Sequence, residues 1–446
     1  MKRTLIKTGT IVTMDSRRRI LPSGGIILAG ERIERVLTDA EIQVQVQFDG
    51  EIFDASRLVA IPGFVQTHLH LCQTLFRGLA DDLSLLDWLQ LRIFPYEAAH
   101  NAASMYASAM VGISELIRSG TTTILDMGSI HHEEDIVRAI DETGLRACVG
   151  KAMMDVNSLY PPFIEPTAES LSTTRRQAEQ WHGLAGGRIR YAVAPRFVLS
   201  CSDKLLREAY EMTESSPGML FHTHAAENRS EMDAVRKRCH MDNIEFFESI
   251  GVLHANTCLA HCIWVNDREI GLIRDRKAKV AHCPSSNLKL GSGVARVPEL
   301  LSAGISVSLG ADGAPCNNTL NMFEEMRLAA LLQKPLHGPR VMSAQTVFEM
   351  ATAGGAAALG LENEVGSIEE GKKGDIVLLD MQQPWNPYES ADVYSSIVYS
   401  GSAENVHSVL VDGRWLYRNR EHMSLDPARA VTRAKDELRR LLQRVN

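Results

Sequence analysis

The chain has 446 residues, of which 45% are hydrophobic and 23% are charged, so its length allows one large domain and a smaller one. A net charge of −8 and a pI near 6.0 disfavour binding to nucleic acid or to an anionic membrane, because both would need clustered Lys and Arg. The sequence has no apolar run of the signal-peptide or membrane-span type, so we expect a cytoplasmic protein that acts on a small molecule.

The two ends of the chain have the same character. Residues 1–58 and 364–446 contain short apolar runs separated by turns, a pattern typical of short strands. We predict that both ends build one small β-sandwich domain, to which residues 426–446 add a charged amphipathic helix. The catalytic domain is then expected over residues 59–363.

Within residues 59–363, β-type runs alternate with amphipathic helical stretches, which is the pattern of a parallel α/β fold. The predicted strands are 61–68, 121–127, 146–153, 188–196, 219–224, 257–261, 278–282 and 305–312. The predicted helices include 103–119, 133–143, 202–214, 230–250 and 294–302. Eight strands are the number that a (β/α)8 TIM barrel requires, so we predict that fold.

Two histidines end the first predicted strand. His68 and His70 are two positions apart, so in an extended strand both side chains face the same side and can bind one metal ion. Three later strands also end in a polar group, at His224, His261 and Asp312. Because active sites of such barrels form at the carboxyl ends of the strands, we predict that all these side chains meet.

This set of side chains predicts a catalytic metal site, since such sites use His or carboxylate ligands and leave one position open for water. The predicted ligands are three imidazoles and a carboxylate, from His68, His70, His224 and Asp312. A site for two ions would need a bridging carbamylated lysine at the end of the fourth strand, where the sequence has Pro195-Arg196-Phe197 instead. We therefore expect one divalent metal ion, with Zn²⁺ as first choice and Fe²⁺ or Mn²⁺ as alternatives.

The remaining polar groups at the strand ends suit proton transfer. A metal ion lowers the pKa of bound water toward neutrality, and Asp312 could accept the proton that the water loses. Glu227, three residues past His224, is placed to protonate the substrate nitrogen or the leaving group. His261 could orient the water or stabilise developing charge. A structural role is favoured for His222, which shares a strand face with His224 but lies earlier in the strand and so deeper in the barrel.

Several segments closely resemble the amidohydrolase superfamily, in particular its mononuclear aminohydrolases and chlorohydrolases that act on amino-heterocycles. The matching segments are 62–70 (PGFVQTHLH), 224–227 (HAAE), 259–262 (LAHC), 282–290 (HCPSSNLKL) and 310–313 (GADG). The resemblance covers nearly the whole chain. It implies that the four predicted ligands carry the metal and that Glu227, His261 and Asp312 move protons.

The residues expected to contact the substrate resemble those of two different subfamilies. Residues 75–83 (LFRGLADDL), Trp88 and Glu97 resemble deaminases of adenosine derivatives, and this resemblance implies that Glu97 binds ribose hydroxyls and that Trp88 packs near the base. Gln73 and the Arg196 segment 195–202 (PRFVLSCS) resemble guanine deaminases instead, which implies that Gln73 and Arg196 read the base. Arg196 stands where the adenosine-derivative group has histidine.

Because a ribose diol suits a carboxylate that accepts two hydrogen bonds, Glu97 favours a nucleoside. The sequence therefore predicts hydrolytic deamination of an adenosine derivative: 5'-deoxyadenosine, S-adenosylhomocysteine, 5'-methylthioadenosine or adenosine. Guanine deamination, triazine-type hydrolysis including chloride displacement, and a catalytically silent scaffold remain alternatives. Lys151, on the third strand, is a further candidate substrate contact, and exposed barrel helices favour a homo-oligomer of undetermined order.

Overall fold

Eight parallel strands form a closed barrel in the computed structural model of the protein, which describes residues 3–44, 48–387 and 392–445. The barrel strands are β1 (Phe64–His70), β2 (Thr121–Met127), β3 (Arg146–Gly150, continued by Ala152–Met153), β4 (Ile189–Pro195), β5 (Leu220–Ala225), β6 (Thr257–His261), β7 (Lys279–His282) and β8 (Val307–Leu309, continued by Asp312–Gly313). The first part of β8 pairs with β7 and the second part pairs with β1, so β8 closes the ring. The predicted α/β barrel is confirmed.

Helices follow the strands and cover the outside of the barrel. The main ones are Ala102–Arg118, Glu133–Thr143, Thr167–Trp181, Asp203–Glu214, Arg229–Cys239, Asn243–Ser249, Asp267–Arg276, Pro284–Lys289, Val297–Ser302, Met322–Leu332, Ala344–Met350 and Ala353–Ala358. The single helix predicted over 230–250 is wrong. Its chain turns at His240, where φ is +57°, and resumes as a second helix at Asn243. Within the described ranges, no helix is both long and apolar enough to cross a membrane.

The beginning of the first barrel strand differs from the prediction. Residues up to Pro62 belong to a long strand of the other sheet, Glu51–Pro62, and the barrel strand begins only at Phe64. Gly63 separates the two because a Cβ atom there would lie 2.1 Å from the Thr122 hydroxyl, so only glycine fits against β2. The break lets one continuous chain segment serve both sheets.

A nine-stranded mixed sheet is built from both ends of the described chain. Its strands are Arg3–Val12, Ile20–Leu21, Gly24–Ala29, Arg32–Thr38, Glu51–Pro62, Ile376–Leu379, Val406–Val411, Arg414–Arg418 and Glu421–His422. Strand Glu51–Pro62 joins the two contributions, because it pairs with Arg3–Val12 on one side and with Ile376–Leu379 on the other. Apolar residues of both contributions form one buried cluster. The predicted small β-domain from both termini is therefore present.

A buried ion pair fastens this sheet to the barrel. Arg146 opens β3, and its guanidinium makes two hydrogen bonds of 2.9 Å to Asp375 and a further contact with Asp412. Both aspartates belong to the terminal sheet region, and the charges of Arg146 and Asp375 are almost fully buried. The amphipathic helix Pro427–Val445, assigned above to the small β-domain, packs against the barrel helix Ala102–Arg118.

Candidate active site

Two histidines at the strand ends are oriented by backbone carbonyls. His70 Nδ1 donates to Met127 O at 2.7 Å, and His224 Nδ1 donates to Arg196 O at 2.7 Å. Because a carbonyl oxygen only accepts, each Nδ1 carries the hydrogen and each neutral ring keeps its lone pair on Nε2. The two Nε2 atoms face each other at 3.2 Å, an arrangement that a cation between or beside them would stabilise.

Two further histidines complete the cluster. His261 Nδ1 donates to Asn287 Oδ1 at 2.8 Å, and His68 Nδ1 shares a hydrogen bond of 3.0 Å with His222 Nε2. The Nε2 atoms of His68 and His261 are buried and have no hydrogen-bond partner among the residues that the structure describes. Burial lowers the pKa of His68 to about 4, so this ring is neutral at pH 7 and its free nitrogen can act as a ligand.

Asp312 places its carboxylate against the same point. Its Oδ1 lies 3.3 Å from Nε2 of His68 and 3.3 Å from Nε2 of His70. Its Oδ2 lies 3.8 Å from Nε2 of His261. Burial would raise the pKa of Asp312, but the adjacent imidazoles of His68 and His70 hold it well below its usual value, so the group is a carboxylate.

These contacts fit a metal ion. The ligand atoms of His68, His224, His261 and Asp312 all lie within 4.8 Å of one another, and His70 reaches the same cluster through its contacts with His224 and Asp312. Unpartnered, buried Nε2 atoms beside a carboxylate are the ligands that zinc and related divalent ions prefer. The structure thus brings all four sequence-predicted ligands together and places His261, which was predicted to meet them, at their edge.

The local backbone at two of these positions is unusual. Asp312 has φ of +61° and His261 has φ of +73°, both in the left-handed region that side chains other than glycine rarely adopt. Position 310, two residues before Asp312, requires glycine, because a Cβ atom there would lie 2.6 Å from His68 O. The eighth strand, predicted as continuous over 305–312, is therefore interrupted where β8 passes β1. Such strain is characteristic of functional sites.

Glu227 faces the cluster from the loop after β5. Its Oε2 lies 3.6 Å from His261 Nε2. Burial raises the pKa of Glu227 well above its usual value, and the nearby charges of Asp312 and Glu231 raise it further. A carboxyl group with a raised pKa keeps its proton to higher pH and can donate it, which is the role predicted for Glu227 from the sequence.

A cavity opens above the cluster. Its lining residues are His70, Gln73, Leu85, Trp88, Leu89, Arg196, Phe197, His224, Glu227 and Asp312. Three of the predicted substrate contacts, Gln73, Trp88 and Arg196, are among them. Within the described ranges, Gln73 Oε1 and Trp88 Nε1 are buried without a hydrogen-bond partner, so the residues of the cavity wall include one unused acceptor and one unused donor.

Glu97 is buried beside this cavity and is already fully bonded. Arg196 donates two hydrogen bonds to its carboxylate, at 2.8 and 2.9 Å. Gln73 Nε2 donates a third at 2.9 Å and Ser129 Oγ a fourth at 3.2 Å. Four donors occupy about all the lone pairs that a carboxylate offers. In this arrangement Glu97 orients Arg196 and Gln73, and a ribose diol would have to displace one of them.

The structure does not bring Lys151 to the cavity. Its ammonium group is buried, forms an ion pair with Glu165, and lies 3.2 Å from Ala152 O and 3.5 Å from Ser170 Oγ. The side chain sits at the interruption of β3, where a buried cation needs a carboxylate partner. Its contacts are those of a structural residue.

Sequence reasoning gave no role to several residues that support the site. Ser286 Oγ donates to Asp312 Oδ2 at 2.6 Å, and Asn287 binds His261. His222, interpreted as structural, contacts His68. Ser286 and Asn287 lie inside the matched segment 282–290, so their positions were visible, but nothing in one sequence shows which strand ends they reach.

The chain is similar to known proteins over nearly its whole length. The model of the amidohydrolase family matches residues 59–416. The chain is 40% identical to a 5'-deoxyadenosine deaminase from Methanothermobacter thermautotrophicus, over 90% of this chain and 92% of that one. Among solved structures, a zinc-bound adenosine deaminase from Xanthomonas campestris superposes with a TM-score of 0.92 at 27% identity, over 99% of this chain and 98% of that chain. E. coli guanine deaminase superposes with a TM-score of 0.82 at 27% identity, over 94% and 100%. The chain belongs to the amidohydrolase family.

Proposed function

We propose that the protein hydrolytically deaminates an adenosine derivative to the inosine analogue and ammonia. The observation that carries this proposal is the placement of Glu227, a carboxyl group with a raised pKa, on the same cavity as the ionised carboxylate of Asp312. One group can give a proton and the other can take one, as the displacement of an amine by water requires. Relatives that are 33–40% identical over most of the chain are deaminases of 5'-deoxyadenosine or of 5-methylthioadenosine and S-adenosylhomocysteine.

The ligands that we propose for a single divalent ion, Zn²⁺ first, are His68, His70, His224 and Asp312. When bound, the ion would make hydroxide available near neutral pH. Asp312 Oδ2, which faces away from His68 and His70, accepts the proton of the attacking water. Glu227 protonates the ring nitrogen next to the reacting carbon, where the proton stays in the oxopurine product. The proton that Asp312 took from the water passes to the departing amine, which leaves as ammonia, and the remaining hydroxyl proton restores Glu227. His261, between the two carboxyl groups, holds the water by its free Nε2.

The apolar wall formed by Leu85, Trp88, Leu89 and Phe197 packs against the purine ring and keeps bulk water out. Trp88 Nε1 donates a hydrogen bond to a ring nitrogen, and Gln73 Oε1 accepts one from the substrate. Arg196, held in place by Glu97, adds a cationic donor on the same wall.

A second candidate, guanine deamination, is favoured by one observation. The carboxylate of Glu97 already accepts hydrogen bonds from Arg196, Gln73 and Ser129. The groups left to contact the substrate are therefore an arginine and a glutamine rather than a free carboxylate. An arginine suits a carbonyl edge such as that of an oxopurine, whereas adenine carries no carbonyl.

Ammonia release over a panel of candidate substrates tests the proposal. The panel contains adenosine, 5'-deoxyadenosine, 5'-methylthioadenosine, S-adenosylhomocysteine, guanine and a chlorinated triazine, each with the zinc-loaded protein. We expect the highest kcat/KM with one of the four nucleosides. Activity confined to guanine would replace the first proposal by the second, and chloride release from the triazine would support the hydrolase alternative. A protein that binds no metal and converts none of these compounds would be the silent scaffold.

A further inference from the structure

The short helix Pro284–Lys289 contacts two groups to which the proposed reaction assigns proton transfer. It begins immediately after β7, which lies between β6 and β8 in the barrel. Adjacent residues on its first turn therefore reach both neighbouring strand ends. Ser286 Oγ donates a hydrogen bond of 2.6 Å to Asp312 Oδ2 on β8, and Asn287 Oδ1 accepts one of 2.8 Å from His261 Nδ1 on β6.

The two oxygens of Asp312 have different surroundings. Oδ1 faces His68 and His70 and accepts a hydrogen bond of 2.7 Å from Gly313 N. Oδ2 is bound by the Ser286 hydroxyl. A carboxylate held at one oxygen by a backbone amide and at the other by a buried hydroxyl cannot rotate freely about its χ2 angle. Ser286 thus determines where Oδ2, the oxygen left for the proton, points.

Asn287 determines which nitrogen of His261 is free. Because Asn287 Oδ1 accepts from Nδ1, the neutral imidazole keeps its lone pair on Nε2, which has no partner and lies 3.6 Å from Glu227 Oε2. The Asn287 amide nitrogen is also without a partner. The side chain of Asn287 therefore has one contact to lose, the one to His261.

We propose that Ser286 and Asn287 are positioning residues for the proton-transfer groups Asp312 and His261. The proposal rests on the proposed deamination. Neither side chain lines the cavity, so substrate affinity should not depend on them. Neither contacts the Nε2 atoms of the histidines or Asp312 Oδ1, so metal binding should not depend on them either. Their removal should slow the chemical step alone.

Ser285 provides a matched control for Ser286. It is the preceding residue in the same helix, and its hydroxyl and amide both bind Glu325 instead of a site residue. We expect Ser286→Ala to lower kcat about 10- to 100-fold, the range typical for a lost supporting contact, with KM and zinc per chain unchanged. Ser285→Ala should keep the wild-type kcat, since it loses a contact that anchors the helix but none that touches the reaction.

For Asn287 the conservative variant is the control. Asn287→Leu removes the acceptor at similar volume and should lower kcat about 10- to 100-fold. Asn287→Asp keeps an oxygen at the same place and should recover most of that loss, because a carboxylate still accepts from Nδ1. Thermal unfolding of all four variants, measured with metal bound, shows whether the fold is intact.

The measurements use the best substrate of the panel above. If wild-type protein converts no substrate, the proposed function fails before the variants are compared. If wild type is active, three outcomes overturn the positioning roles: equal kcat for Ser286→Ala and Ser285→Ala, loss of zinc from Ser286→Ala, or equal kcat for Asn287→Leu and Asn287→Asp. A kcat loss confined to Ser286→Ala and Asn287→Leu supports the roles.

Discussion

The floor and the wall of the cavity are built differently. The floor consists of the cluster residues at the strand ends, His68, His70, His224, His261 and Asp312. The wall consists of the other lining residues named above, Gln73, Leu85, Trp88, Leu89, Arg196 and Phe197, with Glu97 behind Gln73 and Arg196. On the floor, His70, His224 and His261 each have Nδ1 fixed by an oxygen, so their Nε2 atoms are oriented in the absence of substrate. On the wall, Gln73 Oε1 and Trp88 Nε1 are buried without partners. A preorganised floor suits chemistry that is common to many substrates, whereas unmet polar groups on the wall suit recognition of a particular one.

The elements that carry the two regions also differ. The floor lies on strand ends of the closed barrel, whereas part of the wall lies on the first two of three consecutive helical turns, Leu85–Trp88, Leu89–Ile93 and Phe94–Ala98. The middle turn is a π-helix, a form found preferentially at functional sites. Mutations on the floor should therefore abolish turnover for every substrate, and mutations on the wall should change affinity and choice.

The largest expected effect is on the floor. His68→Ala removes an unpartnered Nε2 that faces the ligand cluster, so we expect loss of bound zinc and activity below detection with all substrates. His254→Ala is the control: that histidine lies in the loop before β6, where its Nε2 bonds to Gly251 O and its ring stacks on Tyr210, neither of which belongs to the ligand cluster. Metal content and ammonia release check the pair. A fully active His68→Ala variant would refute the metal site.

Glu227→Gln tests the proton donor above the floor. The amide has the shape of the carboxyl group but cannot give up its proton, so kcat should fall about 10²- to 10⁴-fold, the usual contribution of a general acid or base. Zinc content should stay at the wild-type level, because Glu227 is not among the proposed ligands and lies next to His261 instead. A loss of less than about tenfold would assign the proton donation to another group.

Sequence and structure agree best on the floor, for a physical reason. Strand alternation and the position of a barrel's active site together place His68, His70 and Asp312 at one point without any tertiary detail. The Glu97–Arg196 pair could not be derived in the same way, because it joins a helical turn to the end of β4 and depends on how the two elements pack. The sequence suggested a ribose contact for Glu97, and only the three-dimensional arrangement shows its four donors.

The Glu97–Arg196 pair on the wall should contribute to stability as well as recognition. Arg196→Met leaves a buried carboxylate without its cation, which costs about 3 to 5 kcal/mol in the free energy of unfolding. The double variant Arg196→Met, Glu97→Gln should recover a large part of that loss, since no buried charge is left unpaired. Denaturant unfolding of the single and double variants measures the coupling. Additive losses would show that the two side chains act independently.

The smallest expected effect concerns the attachment of the wall. Lys289 Nζ binds Asp81 Oδ1 at 2.5 Å, four residues before the first helical turn of the wall, and also Pro315 O and Asn318 Oδ1 at 2.9 Å each. Asp81→Asn removes only the charge from this contact.

An exposed pair of this kind is worth about 1 kcal/mol or less, so we expect KM to rise by up to about fivefold with kcat unchanged. Salt supplies an independent check, because screening weakens the same contact in the wild type. Wild-type KM should therefore approach that of Asp81→Asn as salt is raised to about 1 M, while KM of the variant changes less. Parallel salt responses of the two proteins would show that the Asp81–Lys289 pair does not hold the wall over the substrate.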